Sequence, residues 1–261
     1  EVLNMPITDF LEQNSRLYPN DRALTEITPQ NQPDKATTWR EYNLIETAEG
    51  AEYRREITWR QFDTYANRFA NLLFTRGIKK GDKVLLIMRR HYQFWIAMMA
   101  LNKIGAVAIL GSNQLLAHDI EYRINAADIN TVICTAFDGV TDQVDACAAN
   151  CPGLINKIII SGEKDTWRSF DNEFRMYSEE FVREADAPCG DDTMLMFFTS
   201  GTTGYPKAAY HNYKYPLGHF ITAKYWHCVN PEGLHFTISD TGWAKSMWGK
   251  LYGQWLCEAA V

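Results

Sequence analysis

Several things are scarce in this 261-residue chain. It has six cysteines, and no two stand as a Cys-x-x-Cys pair, so no zinc knuckle or redox dithiol motif is written into it. Spread over Cys134, Cys147, Cys151, Cys189, Cys228 and Cys257, they read as reduced, mostly buried thiols of a cytoplasmic protein. There is no basic excess: 26 Lys and Arg face 32 Asp and Glu, a formal charge of -6. A chain with that balance has little to displace counterions with, which excludes nucleic acid as the expected partner. No apolar run approaches the roughly 20 residues that span a bilayer. No signal peptide, internal repeat or low-complexity tract is visible. His219, His227 and His235 recur every eight residues, which is neither one helical face nor a zinc spacing. They read as core or surface histidines, and no metal site is expected.

What is present is a soluble-protein composition, 46% hydrophobic and 22% charged, in a chain long enough for a large core. A weak helical pattern covers 5–18. Residues 28–52 carry Pro29, Pro33 and Gly50 with few aliphatics; they read as an inserted loop or hairpin anchored by Trp39, Tyr42 and Leu44. Thr58-Trp-Arg-Gln61 is a capping box, followed by Phe62, Tyr65, Phe69, Leu72 and Leu73 at helical spacing and a stop at Gly77. Strands are predicted at 83–88, 106–110, 131–135 and 157–160, with helices at 92–103, 119–127 and 140–149 between them. Strands without polar alternation, separated by helices, are buried on both faces and run parallel. The expected fold is α/β, a doubly wound, mostly parallel sheet flanked by helices. Further helices are predicted at 178–184, 212–227 and 246–258, and strands at 194–198 and 234–239.

The chemistry concentrates at 197–207, Phe-Phe-Thr-Ser-Gly-Thr-Thr-Gly-Tyr-Pro-Lys. A buried strand runs into a loop with hydroxyls at Thr199, Ser200, Thr202 and Thr203, glycines at Gly201 and Gly204, and a cation at Lys207. Glycine lets backbone N–H groups turn toward an anion, hydroxyls add donors, and a lysine adds charge. Such a loop suits phosphates. It is not a Walker A loop, which needs Gly-Lys followed by Ser or Thr at a helix start. A second constellation, Asp240-Thr241-Gly242-Trp243, is a turn signal after a predicted strand, with Lys245, Met247 and Trp248 just beyond.

The run from Thr199 to Lys207 resembles the phosphate loop of the adenylate-forming, or AMP-binding, superfamily. The Asp-Thr-Gly-Trp form resembles the N-terminal part of a medium-chain acyl-CoA synthetase, and His211 shortly past the loop also fits the superfamily. The resemblance covers about residues 55–261. It implies ATP, Mg²⁺ and coenzyme A as cofactor and co-substrates, and a short- or medium-chain carboxylic acid as substrate, in fatty acid metabolism. It implies a catalytic Lys207, ATP phosphates on Thr199, Ser200, Gly201, Thr202, Thr203, Gly204 and Lys207, and an acyl pocket with Trp243, Trp248 and Lys245, Met247 contributing to its floor. A homodimer is compatible with it.

The division expected is a first subdomain over 1–190, then the start of a second over 191–261. The family's adenine, ribose and C-terminal catalytic segments have no counterpart before Val261. With no initiator methionine, the chain reads as a fragment lacking the C-terminal domain and inactive alone. The alternatives are an adenylation domain loading a carrier protein, a non-catalytic nucleotide-binding module, or an interaction protein on the same scaffold.

Overall fold

The computed structural model describes residues 5–29, 44–46, 52–199 and 204–261. Helix α1 (Ile7–Leu17) leads into an antiparallel sheet of β1 (Arg22–Pro29), β2 (Leu44–Glu46) and β3 (Glu52–Thr58), in the order β1-β3-β2. The inserted region is thus partly strand. Its predicted anchors Trp39 and Tyr42, with Pro33 and Gly50, lie outside the described residues.

The capping box forms as the sequence requires. The Thr58 hydroxyl accepts from the Gln61 N–H at 3.2 Å, and the Gln61 side chain accepts from the Thr58 N–H at 3.0 Å. It opens α2 (Trp59–Thr75). Then β4 (Lys83–Ile87), α3 (Tyr92–Ile104), β5 (Val107–Gly111), α4 (Ala117–Ala127), β6 (Thr131–Thr135), α5 (Val140–Cys147) and β7 (Asn156–Ile160) alternate as expected. With the short β8 (Arg168–Ser169), β9 (Thr193–Thr199) and β10 (Lys207–Asn212), these strands form one seven-stranded sheet, ordered β10-β9-β5-β4-β6-β7-β8. All pairs from β9 to β8 are parallel; β10 is antiparallel to β9.

Burial on both faces explains the unbroken apolar runs. Val84, Leu86, Ala108 and Leu110 point into the core under α2 and α3. Leu85, Ile87, Val107 and Ile109 point to the opposite core, with Ile120 and Ile124 of α4 and Val140 and Val144 of α5. Side chains alternate across a strand with period two, so both sets must be apolar. Lys103, buried on α3, is neutralised by Glu12 at 2.7 Å and Asp63 at 2.9 Å, which ties α1 and α2 to it.

Three expectations fail. Residues 178–184 are not a helix; a short α6 (Phe170–Glu173) precedes them instead. Asn71 donates to the Ser178 and Glu180 carbonyls and Asn67 to that of Glu179, so α2 takes the carbonyls a helix would use. The helix expected from Asn212 begins at Tyr215: β10 claims 207–212, and α7 (Tyr215–Ile221) follows, continued by a π turn over Thr222–Trp226. The strand expected at 234–239 is reduced to a single parallel bridge, Leu234 with Ala260. Beyond it, α8 (Lys245–Met247), a π turn (Trp248–Tyr252) and α9 (Gly253–Leu256) make up the last helical stretch.

Candidate nucleotide and acyl site

The carboxyl edge of the parallel sheet brings the two constellations together. In the β4–β5 register Ile87 pairs with Gly111, so Met88 and Ser112 are the next level out. In the β5–β9 register Ile109 pairs with Met196; continuing it puts Thr199 level with Ser112. The phosphate-loop base therefore leaves one strand over from β5, a spacing of about 5 Å. Thr199 and Lys207 are cross-strand partners at the two feet of that loop. The Thr199 hydroxyl donates to the Lys207 carbonyl at 3.3 Å. Of the predicted site residues, Ser200, Gly201, Thr202 and Thr203 lie outside the described residues. Lys207 and Gly204 are exposed.

One foot has a support that sequence reasoning missed. The Tyr122 hydroxyl, on α4, donates to the Pro206 carbonyl at 3.0 Å, and its ring stacks on Tyr205 at 5.1 Å. Arg123 lies over the Phe198 ring at 5.3 Å, where burial pulls its pKa down. An aromatic face on an amphipathic helix gives no sequence signal of which loop it will meet.

The Asp240-Thr241-Gly242-Trp243 turn closes on itself and on the sheet. The Asp240 carboxylate accepts from the Gly242 N–H at 2.8 Å, and its carbonyl from the Trp243 N–H at 3.1 Å. Thr241, buried, donates its hydroxyl to the Met88 carbonyl at the end of β4. A Cβ on Gly242 would stand 2.4 Å from the Ser112 nitrogen, so only glycine permits this approach. The turn thus sits on the two strand ends beside the one that feeds the phosphate loop. Open parallel sheets bind ligands at this edge.

Trp243 projects from the turn 67% exposed. Lys245 is exposed as well, and Met247 is fully buried in the core. Trp248 is half-buried, and its ring lies between two histidines: His219 at 5.5 Å with planes 20° apart, and His227 at 5.8 Å with planes 9° apart. The stack extends through Tyr215 to His211 and Phe197 on one side, and to His235 on the other. Burial depresses the pKa of all four histidines; His211 and His227 add to the effect at His219, and Lys245 at His227. They are neutral near pH 7. Gln254, fully buried, lies 3.0 Å from Nδ1 of His227 and fixes its ring. The eight-residue spacing was visible in sequence, but its packing role was not. Among the described residues no group of three His, Cys, Asp or Glu is placed to hold a metal ion, and no helix is long and apolar enough to cross a membrane.

Comparison with known proteins follows the same lines. The human acyl-coenzyme A synthetase ACSM3, mitochondrial, is 32% identical over 211 residues, 79% of this chain and 35% of that protein. The mouse acyl-coenzyme A synthetase ACSM5, mitochondrial, is 30% identical over 241 residues, 90% of this chain and 39% of its own length. The chain therefore spans well under half the length of these relatives. The crystal structure of the anthranilate CoA ligase AuaEII in complex with anthranoyl-AMP superposes with a TM-score of 0.79 at 21% identity, covering 99% of this chain and 44% of that one; it shares the fold. The sequence profile of the family described as AMP-binding enzyme matches residues 12–254, and the chain belongs to that family.

Proposed function

We propose that this chain is the N-terminal portion of an acyl-CoA synthetase that activates a short- or medium-chain carboxylic acid with ATP. In the first step a carboxylate oxygen attacks the α-phosphorus; the bond to the bridging oxygen breaks and pyrophosphate leaves, giving an acyl-adenylate. In the second the thiolate of coenzyme A attacks the acyl carbon and AMP departs. A free carboxylate is a poor acylating agent because oxide would have to leave; adenylation supplies the leaving group.

The observation that carries this reading is the shared edge: a hydroxyl- and glycine-rich loop and the Asp-Thr-Gly-Trp turn stand on neighbouring strand ends. Bringing a carboxylate against a triphosphate sets like charges together, and donors must offset that repulsion. In this proposal Thr199, Ser200, Gly201, Thr202, Thr203 and Gly204 hold the β- and γ-phosphates. Lys207 is the catalytic cation that stabilises charge developing on pyrophosphate. Trp243 walls the acyl pocket, and Trp248, stiffened between His219 and His227, lies at its floor with Lys245 nearby. Mg²⁺ enters with the nucleotide phosphates, as small hard cations do; no protein ligand is assigned to it.

Part of the proposal is the division into a first subdomain over 1–190 and the start of a second over 191–261, although the β5–β9 pairing runs one sheet across it. Coenzyme A as acceptor, a homodimer and a cytoplasmic location are proposals of the same standing; the curated relatives above are named as mitochondrial. Positioning groups act as a unit, so the 261-residue chain with ATP and butyrate should release pyrophosphate at background. Turnover near that of a complete synthetase would contradict the fragment reading. Calorimetric titration of the same chain with a non-hydrolysable ATP analogue should still give heat of binding, and a flat titration would contradict the nucleotide site.

A further inference from the structure

Lys207 is held through the carbonyl groups on either side of it. Before it, the Tyr122 hydroxyl donates to the Pro206 carbonyl at 3.0 Å. After it, the Thr199 hydroxyl donates to the Lys207 carbonyl at 3.3 Å. The Pro206–Lys207 peptide is trans, so with its carbonyl drawn to Tyr122 its N–H points the opposite way. The Tyr122 ring adds a second restraint. It stacks on Tyr205 at 5.1 Å with planes 25° apart and stands T-shaped to Phe198 at 6.3 Å.

The two hydroxyls come from different bodies. Thr199 is the last residue of β9 and travels with the hairpin that carries the loop. Tyr122 belongs to α4, which is fixed independently of that hairpin. Ile120 and Ile124 are buried in the core on its face of the sheet. The Ala117 N–H donates to the Gln143 side chain of α5 at 2.9 Å. Asn125 donates to the Asn150 carbonyl at 3.1 Å, and Asn150 to the Glu121 carboxylate at 3.0 Å. Of the two, only Tyr122 ties the lysine to a support outside its own hairpin.

Strand alternation shows which way each side chain leaves. Leu195 and Phe197 belong to the core under α2 and α3, while Met196 belongs to the opposite core with α4, and Phe198 packs against it. Thr199 therefore continues the face of Leu195 and Phe197. Lys207 is its cross-strand partner, and directly opposed residues share a face. His211, further along β10 on that face, packs on Phe197 at 5.4 Å. The lysine side chain thus leaves the sheet on the side away from α4, the side of the ring stack that reaches Trp248. Tyr122 stands behind it.

We propose that Tyr122 is a positioning residue for Lys207: from the opposite face of the sheet it fixes the Pro206–Lys207 peptide, and with it the direction in which the ammonium meets the triphosphate. The inference rests on the nucleotide reading given above. Lysine is a point charge on a flexible four-carbon stem, so a fixed backbone origin limits where the charge can go. Tyr122 itself touches no ligand and acts through the peptide.

The experiment is a double-mutant cycle on the 261-residue chain, with Tyr122→Phe, Lys207→Ala and the pair, read by calorimetric titration with a non-hydrolysable ATP analogue. Phenylalanine keeps the stack and removes only the hydroxyl. With Lys207 present, Tyr122→Phe should weaken binding about 10-fold. With Lys207→Ala in place it should weaken binding less than about 2-fold, because the group it aims is gone. An equal loss in both backgrounds would make Tyr122 a general prop of the loop, and no loss in either would make the contact idle; each overturns the inference. The backbone amide of Lys207 gives a second reading that needs no nucleotide. Its order parameter from amide-nitrogen relaxation should fall from about 0.85 to below about 0.6 in Tyr122→Phe, with Ile120 and Ile124 unchanged. An unchanged value at Lys207 overturns the inference. If the wild-type chain gives no heat with the analogue, the nucleotide reading fails, and the relaxation measurement alone decides whether Tyr122 fixes Lys207.

Discussion

The two turns on the carboxyl edge are held in opposite ways. The Asp240–Trp243 turn is fastened to the sheet itself, by the Thr241 hydroxyl on the Met88 carbonyl and by Gly242 against the Ser112 backbone. Among its described residues the phosphate loop is fastened at its feet, by the Thr199–Lys207 pairing and the Tyr122 hydrogen bond to Pro206. Gly204 has no atom within 4 Å of where a Cβ would stand. One turn is built into the sheet edge; the described feet of the other are tied to each other and to α4. A wall for a substrate needs fixed position; a loop that takes up and releases a triphosphate needs accessible N–H groups.

That contrast can be broken most sharply at the glycines. Gly242→Ala forces a Cβ into backbone and should cost about 3–5 kcal/mol in urea unfolding. Gly204→Ala, at φ +100° in open space, should cost only about 1–2 kcal/mol, the strain of that backbone conformation. Equal costs would remove the distinction.

Next in size is a pH effect at the same edge. His91 lies 3.0 Å from the Thr135 hydroxyl, and burial, then the Arg89 charge, lower its pKa to about 4. Its unfolded value is near 6.5, so the stabilisation is complete above that pH and is lost as pH falls toward 4. The full loss is about 3 kcal/mol, with a slope near 1.4 kcal/mol per pH unit. Stability curves of His91→Gln should lack this component between pH 6.5 and 4; an unchanged slope would refute it.

Thr241→Val should cost about 1–3 kcal/mol, because the Met88 carbonyl loses a buried donor. Tyr122→Phe should cost at most about 1 kcal/mol of stability, yet weaken binding of an ATP analogue by freeing the loop foot. Reversal of that ranking between the pair, read by unfolding and calorimetry, would mean the loop rather than the turn is the structural element.

Much of this was legible in sequence because burial on both faces writes continuous apolar runs, as at 83–87 and 131–135, and because Thr58 and Gln61 mark a helix start by chemistry alone. The phosphate loop was legible for its composition. β10 was not: Lys-Ala-Ala-Tyr-His-Asn is a partly exposed edge strand with no apolar run. The missed irregularity at 178–184 depends on Asn67 and Asn71, more than a hundred residues earlier. The histidine spacing left their shared packing partner unread for a geometric reason. Residues eight apart on an α-helix stand about 80° round from each other, but the wider π turn at Thr222–Trp226 takes up that excess and lets His219 and His227 close on one indole. Exposure of Trp243 was equally invisible, since an apolar residue after a turn carries no sign of its side.

The most direct test of the account is to compare the wild-type chain with Lys207→Ala by calorimetric titration with an ATP analogue and, in parallel, by urea unfolding. Lys207 is exposed and stands at the loop foot, so affinity should fall about 10- to 100-fold, the worth of one charge-assisted contact, with stability unchanged. Equal affinity of the two proteins would contradict the claim that this loop grips a triphosphate.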